Sequence, residues 1–284
     1  MDIFERAVNN AGDAVSPRVA KPVKLPLARE QEANDRQGVE CRIDLESLHK
    51  SGYLTPGRTQ TRQAEEYRLL KRPVLMNAFG KGSELIERGN LVAVTSALPG
   101  DGKTFTSLNL AMSISQEQDR TVLLIDADLS KRSLSHLLGL DQAKGLIDVL
   151  KGDDVSLSDV INRTNIPKLR VIPAGSPSPD VTELMASEQM ESLMAELAAR
   201  YDDRIILLDT PPLLSTSQAQ ILTHLVGQTL MVVREGKTPQ SAIDEALDML
   251  EENDVVGMVL NYCGRSKGSS YYGGYYGGSE DREG

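Results

Sequence analysis

One short stretch of the chain contains the residue types needed to bind a nucleoside triphosphate. It reads SALPGDGKTFTS, residues 96–107, and lies between an apolar run and a helix-like run. Gly100 and Gly102 allow backbone N–H groups to approach phosphate oxygens, Lys103 reaches the outer phosphates, and the Thr104 hydroxyl can ligate Mg²⁺. Ala97 stands where this pattern usually begins with a glycine. The stretch predicts a phosphate-binding loop whose nucleotide contacts are Pro99, Gly100, Asp101, Gly102, Lys103, Thr104 and Phe105.

Three aspartates follow apolar strands and are candidates for the same site. The run LLIDADLSKR places Asp126 and Asp128 after one predicted strand, and IILLDTPP places Asp209 after another. A hydrophobic strand that ends in a carboxylate has the form of a Walker B element, which directs an oxygen ligand at a bound metal ion. A single aspartate at a strand end is more commonly a turn former or a helix cap. Three such aspartates together with one phosphate-binding loop indicate instead that they share a functional site.

The run SSYYGGYYGG, residues 269–278, holds four of the eight tyrosines of the chain: Tyr271, Tyr272, Tyr275 and Tyr276. Glycine pairs leave the backbone too free to fix an aromatic ring in a core. Taken alone, the run is typical of a low-complexity tail. A phosphate-transferring site elsewhere in the chain would give these hydroxyls a use as phosphate acceptors.

These residues must be positioned by strands and helices that alternate along the chain. Continuously apolar runs predict strands at LVAVTSA, TVLLID, LRVIPAG, RIILLD, TLMVVRE and VVGMVLN. Helical patterns lie between them, and TRQAEEYRLLKRPVL precedes the first as a helix that we expect to end at Pro73. Such alternation predicts an α/β fold with a parallel sheet covered by helices on both faces. Ligands of these sheets lie at the carboxyl ends of the strands, where the aspartates fall.

Composition limits the class of protein and its partners. With 284 residues and 40% apolar content the chain can form one large α/β domain plus extensions. We expect residues 1–55 to be irregular, with either a short amphipathic helix or a frayed terminus at Met1–Asn10, and Cys41 and Cys263 suggest no disulfide framework. No apolar run has the length of a membrane span, and we find no signal peptide, so the expected location is the cytoplasm. Residues 91–284 carry a net charge of −12, which argues against nucleic acid as a partner.

From about Gln60 onward the chain resembles the bacterial tyrosine kinases of polysaccharide export, which are P-loop proteins related to the MinD and ParA ATPases. The resemblance is carried by LPGDGKT, by the second Walker-like element LLIDADLSKR, by IILLDTPP and by the tyrosine tail. MinD and ParA relatives have a lysine early in the P-loop, where this chain has Leu98, and that difference favours the kinase branch. The long N-terminal extension resembles the stand-alone form associated with exosortase-linked gene clusters.

Two positions depart from the family pattern. The second element usually reads Asp-x-Asp-x-Arg, but Ser130 stands at the arginine position and is followed by Lys131 and Arg132. The family also has a Glu-x-x-Arg-x-x-Arg helix used in ring assembly. Here that helix presents the oligomerisation candidates Glu65, Arg68 and Lys71, and lysine lacks the planar guanidinium that pairs bidentately. A solvated charged face explains the same residues equally well.

The resemblance implies an enzyme that uses ATP and Mg²⁺ to phosphorylate its own C-terminal tyrosines. Lys103, Asp126 and Asp128 would be catalytic, with Asp126 as the base, and Thr104, Asp128 and Asp209 would hold or orient the metal. The roles of the three aspartates can be exchanged in this scheme. The implied partners are further copies of the chain, a membrane polysaccharide co-polymerase that recruits and activates the kinase, and a tyrosine phosphatase.

The implied domains are an extension and linker over 1–59, a kinase domain over 60–264 and a tyrosine-rich tail over 265–284. Two other functions remain open on the sequence. A partition- or septum-positioning ATPase would hydrolyse ATP without transferring phosphate, and a non-catalytic regulatory subunit would bind nucleotide only. The tyrosines and the absent early lysine disfavour the first, and the intact Lys103 with its three aspartates disfavours the second.

Overall fold

A computed structural model describes residues 40–57, 60–80, 86–152, 154–201, 203–253 and 255–264. They belong to a compact unit that begins at Gln37. The strands are β1 (Glu40–Cys41), β2 (Leu91–Ser96), β3 (Thr121–Asp126), β4 (Asn162–Thr164), β5 (Leu169–Ile172), β6 (Arg204–Asp209), β7 (Gln228–Arg234) and β8 (Val256–Asn261). The helices are α1 (Leu45–Lys50), α2 (Arg62–Phe79), α3 (Lys103–Ile114), α4 (Ser133–Leu137), α5 (Leu146–Lys151), α6 (Leu157–Val160), α7 (Val181–Met185), α8 (Glu188–Arg200), α9 (Ser217–His224) and α10 (Gln240–Asp248). No helix among these residues has both the length and the apolar character of a membrane span.

The eight strands form one sheet in the order β1-β4-β5-β3-β6-β2-β7-β8. The last six strands in this order, β5-β3-β6-β2-β7-β8, are parallel, as the alternation of apolar runs and helices predicts. The two short strands at one edge differ, because β4 pairs with β5 antiparallel and β1 then pairs with β4 in parallel. The α/β prediction is confirmed, and the sheet is mixed only at that edge.

The central strands are buried on both faces because most of their positions carry apolar side chains, which point to the two faces in turn. Val92 and Val94 of β2 point into one core layer, whereas Leu91 and Ala93 point into the opposite layer. Helices α1, α2 and α3 cover the first face, and α5, α8 and α9 cover the second. The strands β3, β6 and β2 are neighbours in the middle of the sheet, so their carboxyl ends lie side by side.

The prediction that residues 1–55 are irregular is wrong for 40–55. Cys41, Ile43, Leu48 and Leu54 are buried in the core layer beside α2 and α3. The backbone N–H of Leu54 also donates to the Oδ1 atom of Asn109 in α3 at 2.6 Å. This segment was missed because it has few apolar residues and no sustained period. The predicted helix within Met1–Asn10 and the tyrosine tail lie outside the described residues.

The prediction that Pro73 ends its helix is also wrong, since α2 continues to Phe79. A proline removes one N–H donor and frees the carbonyl four residues earlier, here that of Leu69. Pro73 and Leu69 both lie on the exposed side of α2, where water can hydrogen-bond that carbonyl. The buried side holds Ala64, Tyr67 and Val74, whose packing keeps the helix continuous.

Candidate nucleotide and phosphoryl-transfer site

The loop between β2 and α3 has the backbone of an anion-binding turn. Gly100 and Gly102 adopt positive φ angles of 87° and 100°, a region that side chains other than glycine rarely enter. Gly102 is the N-cap of α3 and has no side-chain cap, so the first N–H groups of the helix remain available to a ligand. A Cβ atom on Gly102 would also collide with the Asn261 side chain. Both features make this position specific for glycine.

The Asp101 carboxylate makes hydrogen bonds within the protein and does not face the phosphate site. It is 3% exposed, and its Oδ2 accepts from the Leu98 N–H at 3.3 Å. Its Oδ1 accepts from the Thr238 hydroxyl at 2.9 Å, and its carbonyl oxygen accepts from Asn261 Nδ2 at 2.9 Å. The side chain therefore fixes the loop to Thr238 after β7, the backbone carbonyl fixes it to the end of β8, and only the backbone N–H of Asp101 remains as a nucleotide contact. Thr238 and Asn261 were missed because nothing in their spacing connects them to the loop.

The structure brings Lys103 and the predicted carboxylates together. Asp126 and Asp209 are paired in register at the ends of β3 and β6, and Asp128 follows two residues later. Burial lowers the pKa of Lys103, while the negative charges of Asp209 and Asp128 oppose that change. Lys131 contributes to the lowering, which places a second ammonium near Lys103. Arg132 instead donates to the carbonyl oxygen of Gly175 at 3.3 Å, so of the two residues after Ser130 the lysine is the one near the loop.

Asp209 is a fully buried carboxyl group with one oxygen in use. Its Oδ1 accepts from the Ser107 hydroxyl at 3.0 Å, and its Oδ2 has no partner. Burial, followed by the neighbouring Asp126, raises the pKa of Asp209 to about 7, while the nearby Thr104 hydroxyl, the charge of Lys103 and the Ser107 hydrogen bond act to lower it. The sequence did not single out Ser107.

Asp126 has a similar environment with different partners. Its Oδ2 accepts from the backbone N–H of Ser135 at 2.8 Å and from the Ser135 hydroxyl at 2.7 Å. Its Oδ1 is buried and unpartnered. Burial, and to a smaller extent the charge of Asp128, raises the pKa of Asp126 to about 6, while the two hydrogen bonds from Ser135 and the backbone of Asp128 act to lower it. The Asp126 carboxyl group thus retains one oxygen that can accept a proton.

The donor set suits Mg²⁺ that arrives with a nucleotide. Asp209 holds a buried oxygen without a partner, and the Thr104 hydroxyl lies beside that carboxyl group. Hard oxygen donors of this kind fit Mg²⁺, which is usually bound by one or two carboxylates together with substrate phosphates. Within the described ranges, no three acidic, histidine or cysteine side chains converge as a metal cluster of their own. The assignment of Thr104, Asp128 and Asp209 to the metal stays a prediction from the sequence.

The remaining nucleotide-contact candidates line the rim of the loop. Pro99 and Gly100 are exposed, and the Phe105 ring lies 4.9 Å from the ring of Tyr53. Tyr53 comes from the segment that the sequence predicted to be irregular. The Tyr262 ring stacks on Arg234, whose guanidinium carbon is 4.2 Å from the ring centre. Neither tyrosine carried a signal in the sequence that connects it to the loop.

The oligomerisation candidates separate into two environments. The Arg68 Nη1 atom lies 2.6 Å from Glu65 Oε2 within the same helix, and both side chains are about half exposed. Lys71 is 8% exposed, donates to the Ser113 carbonyl oxygen at 2.9 Å and pairs with Glu117 at 2.5 Å. Assigning Lys71 to a subunit contact is therefore wrong, because it anchors α2 to the end of α3. Glu65 and Arg68 stay candidates, and the four tail tyrosines lie outside the described residues.

Comparison with known proteins agrees with this geometry. A family described as an AAA domain matches residues 89–238. Tyrosine-protein kinase YwqD of Bacillus subtilis is 36% identical over 188 residues, which cover 66% of this chain and 77% of YwqD. Tyrosine-protein kinase wzc of Salmonella typhimurium is 30% identical over 279 residues. That alignment covers 96% of this chain but 37% of the relative, so the chain spans little more than a third of that protein.

Solved structures place the fold in the same group. The kinase domain of Escherichia coli tyrosine kinase ETK is 28% identical with a TM-score of 0.65, covering 86% of this chain and 96% of that domain. The septum site-determining protein MinD of Pyrococcus horikoshii, complexed with Mg-ADP, is 26% identical with a TM-score of 0.51 over 62% of this chain and 72% of that one. With its P-loop, paired strand-end aspartates and these relatives, the chain belongs to the bacterial tyrosine-kinase family, within the MinD-like P-loop proteins.

Proposed function

We propose that this protein is an ATP-dependent protein-tyrosine autokinase that phosphorylates the tyrosine cluster at its own C-terminus. The observation that carries the proposal is the convergence of the P-loop lysine with two buried carboxylates that each keep one oxygen unpartnered. A hydrolytic ATPase has no use for the acceptors Tyr271, Tyr272, Tyr275 and Tyr276. From the family resemblance, the protein regulates exopolysaccharide synthesis or export, together with a membrane activator and a phosphatase.

In the proposed reaction, a bond forms between a tyrosine oxygen and the γ-phosphorus of ATP, and the bond from that phosphorus to the bridging oxygen of ADP breaks. The phenol has an ordinary pKa of about 10, so its proton needs an acceptor at neutral pH. Asp126 Oδ1 takes that proton. Lys103 and the N–H groups at the start of α3 bind the phosphates, and Mg²⁺, held by Thr104, Asp128 and Asp209, would neutralise phosphate charge. Positioning and electrostatics supply most of the catalysis.

Replacing Lys103 by methionine tests the assignment of the site. We expect Lys103→Met to abolish phosphotyrosine, because the ammonium binds ligand charge, while the circular dichroism spectrum stays unchanged. Lys151→Met, an exposed lysine at the end of α5, is the matched control. The measurement is incubation with labelled ATP and Mg²⁺, followed by phosphotyrosine detection and by assay of free phosphate. Undiminished phosphotyrosine in Lys103→Met would contradict the site, and release of phosphate without phosphotyrosine in the wild type would favour the ATPase alternative.

The roles of Asp126 and Asp128 are separated by neutral isosteres. Asp126→Asn should lower the rate of transfer by about 10²-fold or more while leaving ATP affinity within a few-fold, because it removes a proton acceptor. Rates at saturating ATP and Mg²⁺ and a nucleotide-binding titration provide the two readouts. If Asp128→Asn is the more damaging change at saturating Mg²⁺, the two roles are exchanged.

A further inference from the structure

Asp126 is held by a residue that belongs to none of the sequence motifs. Ser135, the third residue of α4, is 2% exposed and uses both its backbone N–H and its hydroxyl on the same carboxylate oxygen, Asp126 Oδ2. The two distances, 2.8 and 2.7 Å, are those of strong hydrogen bonds to a carboxylate. One side chain oxygen of Asp126 is therefore fixed from two directions.

The Ser135 hydroxyl is itself oriented by a third element. Its oxygen accepts from the backbone N–H of Ala174 at 2.9 Å, in the loop that follows β5. Because that oxygen accepts from Ala174, its own proton is directed at Asp126 Oδ2. The carboxylate at the end of β3 is thus connected through one hydroxyl to the end of β5, the neighbouring strand.

The consequence for Asp126 is a distinction between its two oxygens. With Oδ2 saturated by Ser135, rotation of the carboxylate would break two hydrogen bonds and leave two buried donors without a partner, which is costly. Oδ1 is the oxygen left buried and without a partner in the structure. The bond to Ser135 therefore selects which lone pairs of Asp126 are available for chemistry.

We propose that Ser135 is a positioning residue for phosphoryl transfer, which fixes the Asp126 carboxylate so that Oδ1 faces the acceptor hydroxyl. This inference rests on the proposed function, since it assigns Ser135 a role through the base of that reaction. Ser135 touches neither the nucleotide-binding loop nor the acceptor in this scheme, and it acts on the rate of transfer rather than on ATP affinity.

The test is a double-mutant cycle between Ser135 and Asp126. Ser135→Ala removes the hydroxyl and keeps the backbone N–H, so we expect transfer at saturating ATP to fall by about tenfold, part of the factor that a general base supplies. The KM for ATP should stay within about twofold, because the P-loop contacts are untouched. In the Asp126→Asn background the same change should have almost no effect, because residues that act as one unit are not additive.

Ser115→Ala is the matched control, since Ser115 is also buried and its hydroxyl donates to the Met112 carbonyl oxygen at 2.8 Å, at the far end of α3. Thermal melting of all variants identifies any loss of transfer that follows loss of fold. Equal losses from Ser135→Ala in both backgrounds, or a loss no larger than that of Ser115→Ala, would overturn the positioning role and leave the kinase assignment standing. Wild-type protein that binds ATP but forms no phosphotyrosine, with its activator supplied, would overturn both.

Discussion

At the residue scale, the buried carboxyl groups of the site oppose the stability of the fold. Asp209 is fully buried with one oxygen unpartnered, and its pKa is raised from 3.8 to about 7. A carboxyl whose pKa is higher in the folded than in the unfolded state favours folding when it is protonated. Its contribution is complete below about pH 4 and is lost as the pH rises through 7. Without nucleotide and metal, the site is therefore a source of strain at neutral pH.

Asp209→Asn should consequently stabilise the metal-free protein at pH 8. Asparagine stays neutral, so the free energy of unfolding should rise by on the order of a few kcal/mol at pH 8 and by clearly less at pH 5, which lies only about one unit above the pKa of the unfolded carboxyl. Urea denaturation in EDTA at both pH values measures the difference. Asp203→Asn, an exposed carboxyl just before the start of the same strand, is the control and should change stability by less than about 0.5 kcal/mol at either pH. A gain of equal size at pH 5 and pH 8 would contradict an ionisation effect.

At the element scale, a buried lysine of α2 connects that helix to α3, so the charged residues of α2 do not all lie on one exposed face. Lys71 lies next in the periodic series after Glu65 and Arg68, yet it bonds to Ser113 and Glu117 inside the molecule. The sequence pattern predicted a helix here, although not its end, and could not show that position 71 lies on the buried side of it. A lysine buries readily when its long apolar stem packs and its ammonium reaches a carbonyl oxygen and a carboxylate.

Lys71→Met should therefore lower the free energy of unfolding of the monomer itself. Loss of a buried charge-assisted hydrogen bond costs about 1.5–3 kcal/mol, partly offset by the apolar methionine chain. Arg62→Met is the control, because Arg62 pairs with Glu66 at 2.8 Å on the exposed side of the same helix, where such pairs contribute about 0.2–0.5 kcal/mol. Urea denaturation at a concentration where the protein is monomeric compares the two. Equal losses would show that Lys71 contributes no more than a surface pair.

The elements that the sequence predicts well are those with continuous apolar patterns. The strands TVLLID and RIILLD coincide with β3 and β6, and Asp126 and Asp209 were predicted because they end these strands, whereas Lys103 was predicted from the glycine-rich loop motif before its helix. Contacts between distant segments could not be predicted. Ser135 reaches Asp126 only because α4 turns back on β3, and Asn261 reaches the P-loop only because β8 lies two strands away from β2. Short strands such as β1 and β4 have too few residues to show a period.

At the scale of the whole molecule, phosphorylation would change the charge of an already acidic protein. Each phosphotyrosine adds about −1.5 to −2 charges at neutral pH, so four would add roughly −6 to −8. Residues 91–284 carry −12 before modification. Repulsion between tails of neighbouring copies should then oppose assembly. Helix α2 exposes Leu69 and Met76 beside Glu65 and Arg68, which gives a second copy an apolar contact as well as charges.

We therefore predict that unphosphorylated protein self-associates and that phosphorylation dissociates it, with salt weakening the repulsion. Replacing the four tail tyrosines with phenylalanine should retain the assembled form, and Arg68→Ala should lower both assembly and phosphorylation. Sedimentation of the phosphorylated, Phe-tail and Arg68→Ala proteins at one concentration is the measurement. The same mass for all three would rule out the switch and would not affect the kinase assignment.

The contact between Asn261 and Asp101 fixes where the last strand ends: directly beside the phosphate-binding loop. Tyr271 follows Tyr262 by nine residues, so even a fully extended chain spans at most about 32 Å between them. Tyr276 follows Tyr262 by fourteen residues, which extends the limit to about 50 Å, so the proposed acceptors are tethered to the strand end beside the loop of their own polypeptide and can also reach a neighbouring copy. The kinetic order of the reaction distinguishes the two routes. Delivery within one polypeptide gives an initial velocity proportional to enzyme concentration, whereas delivery between copies that meet transiently gives a velocity proportional to its square.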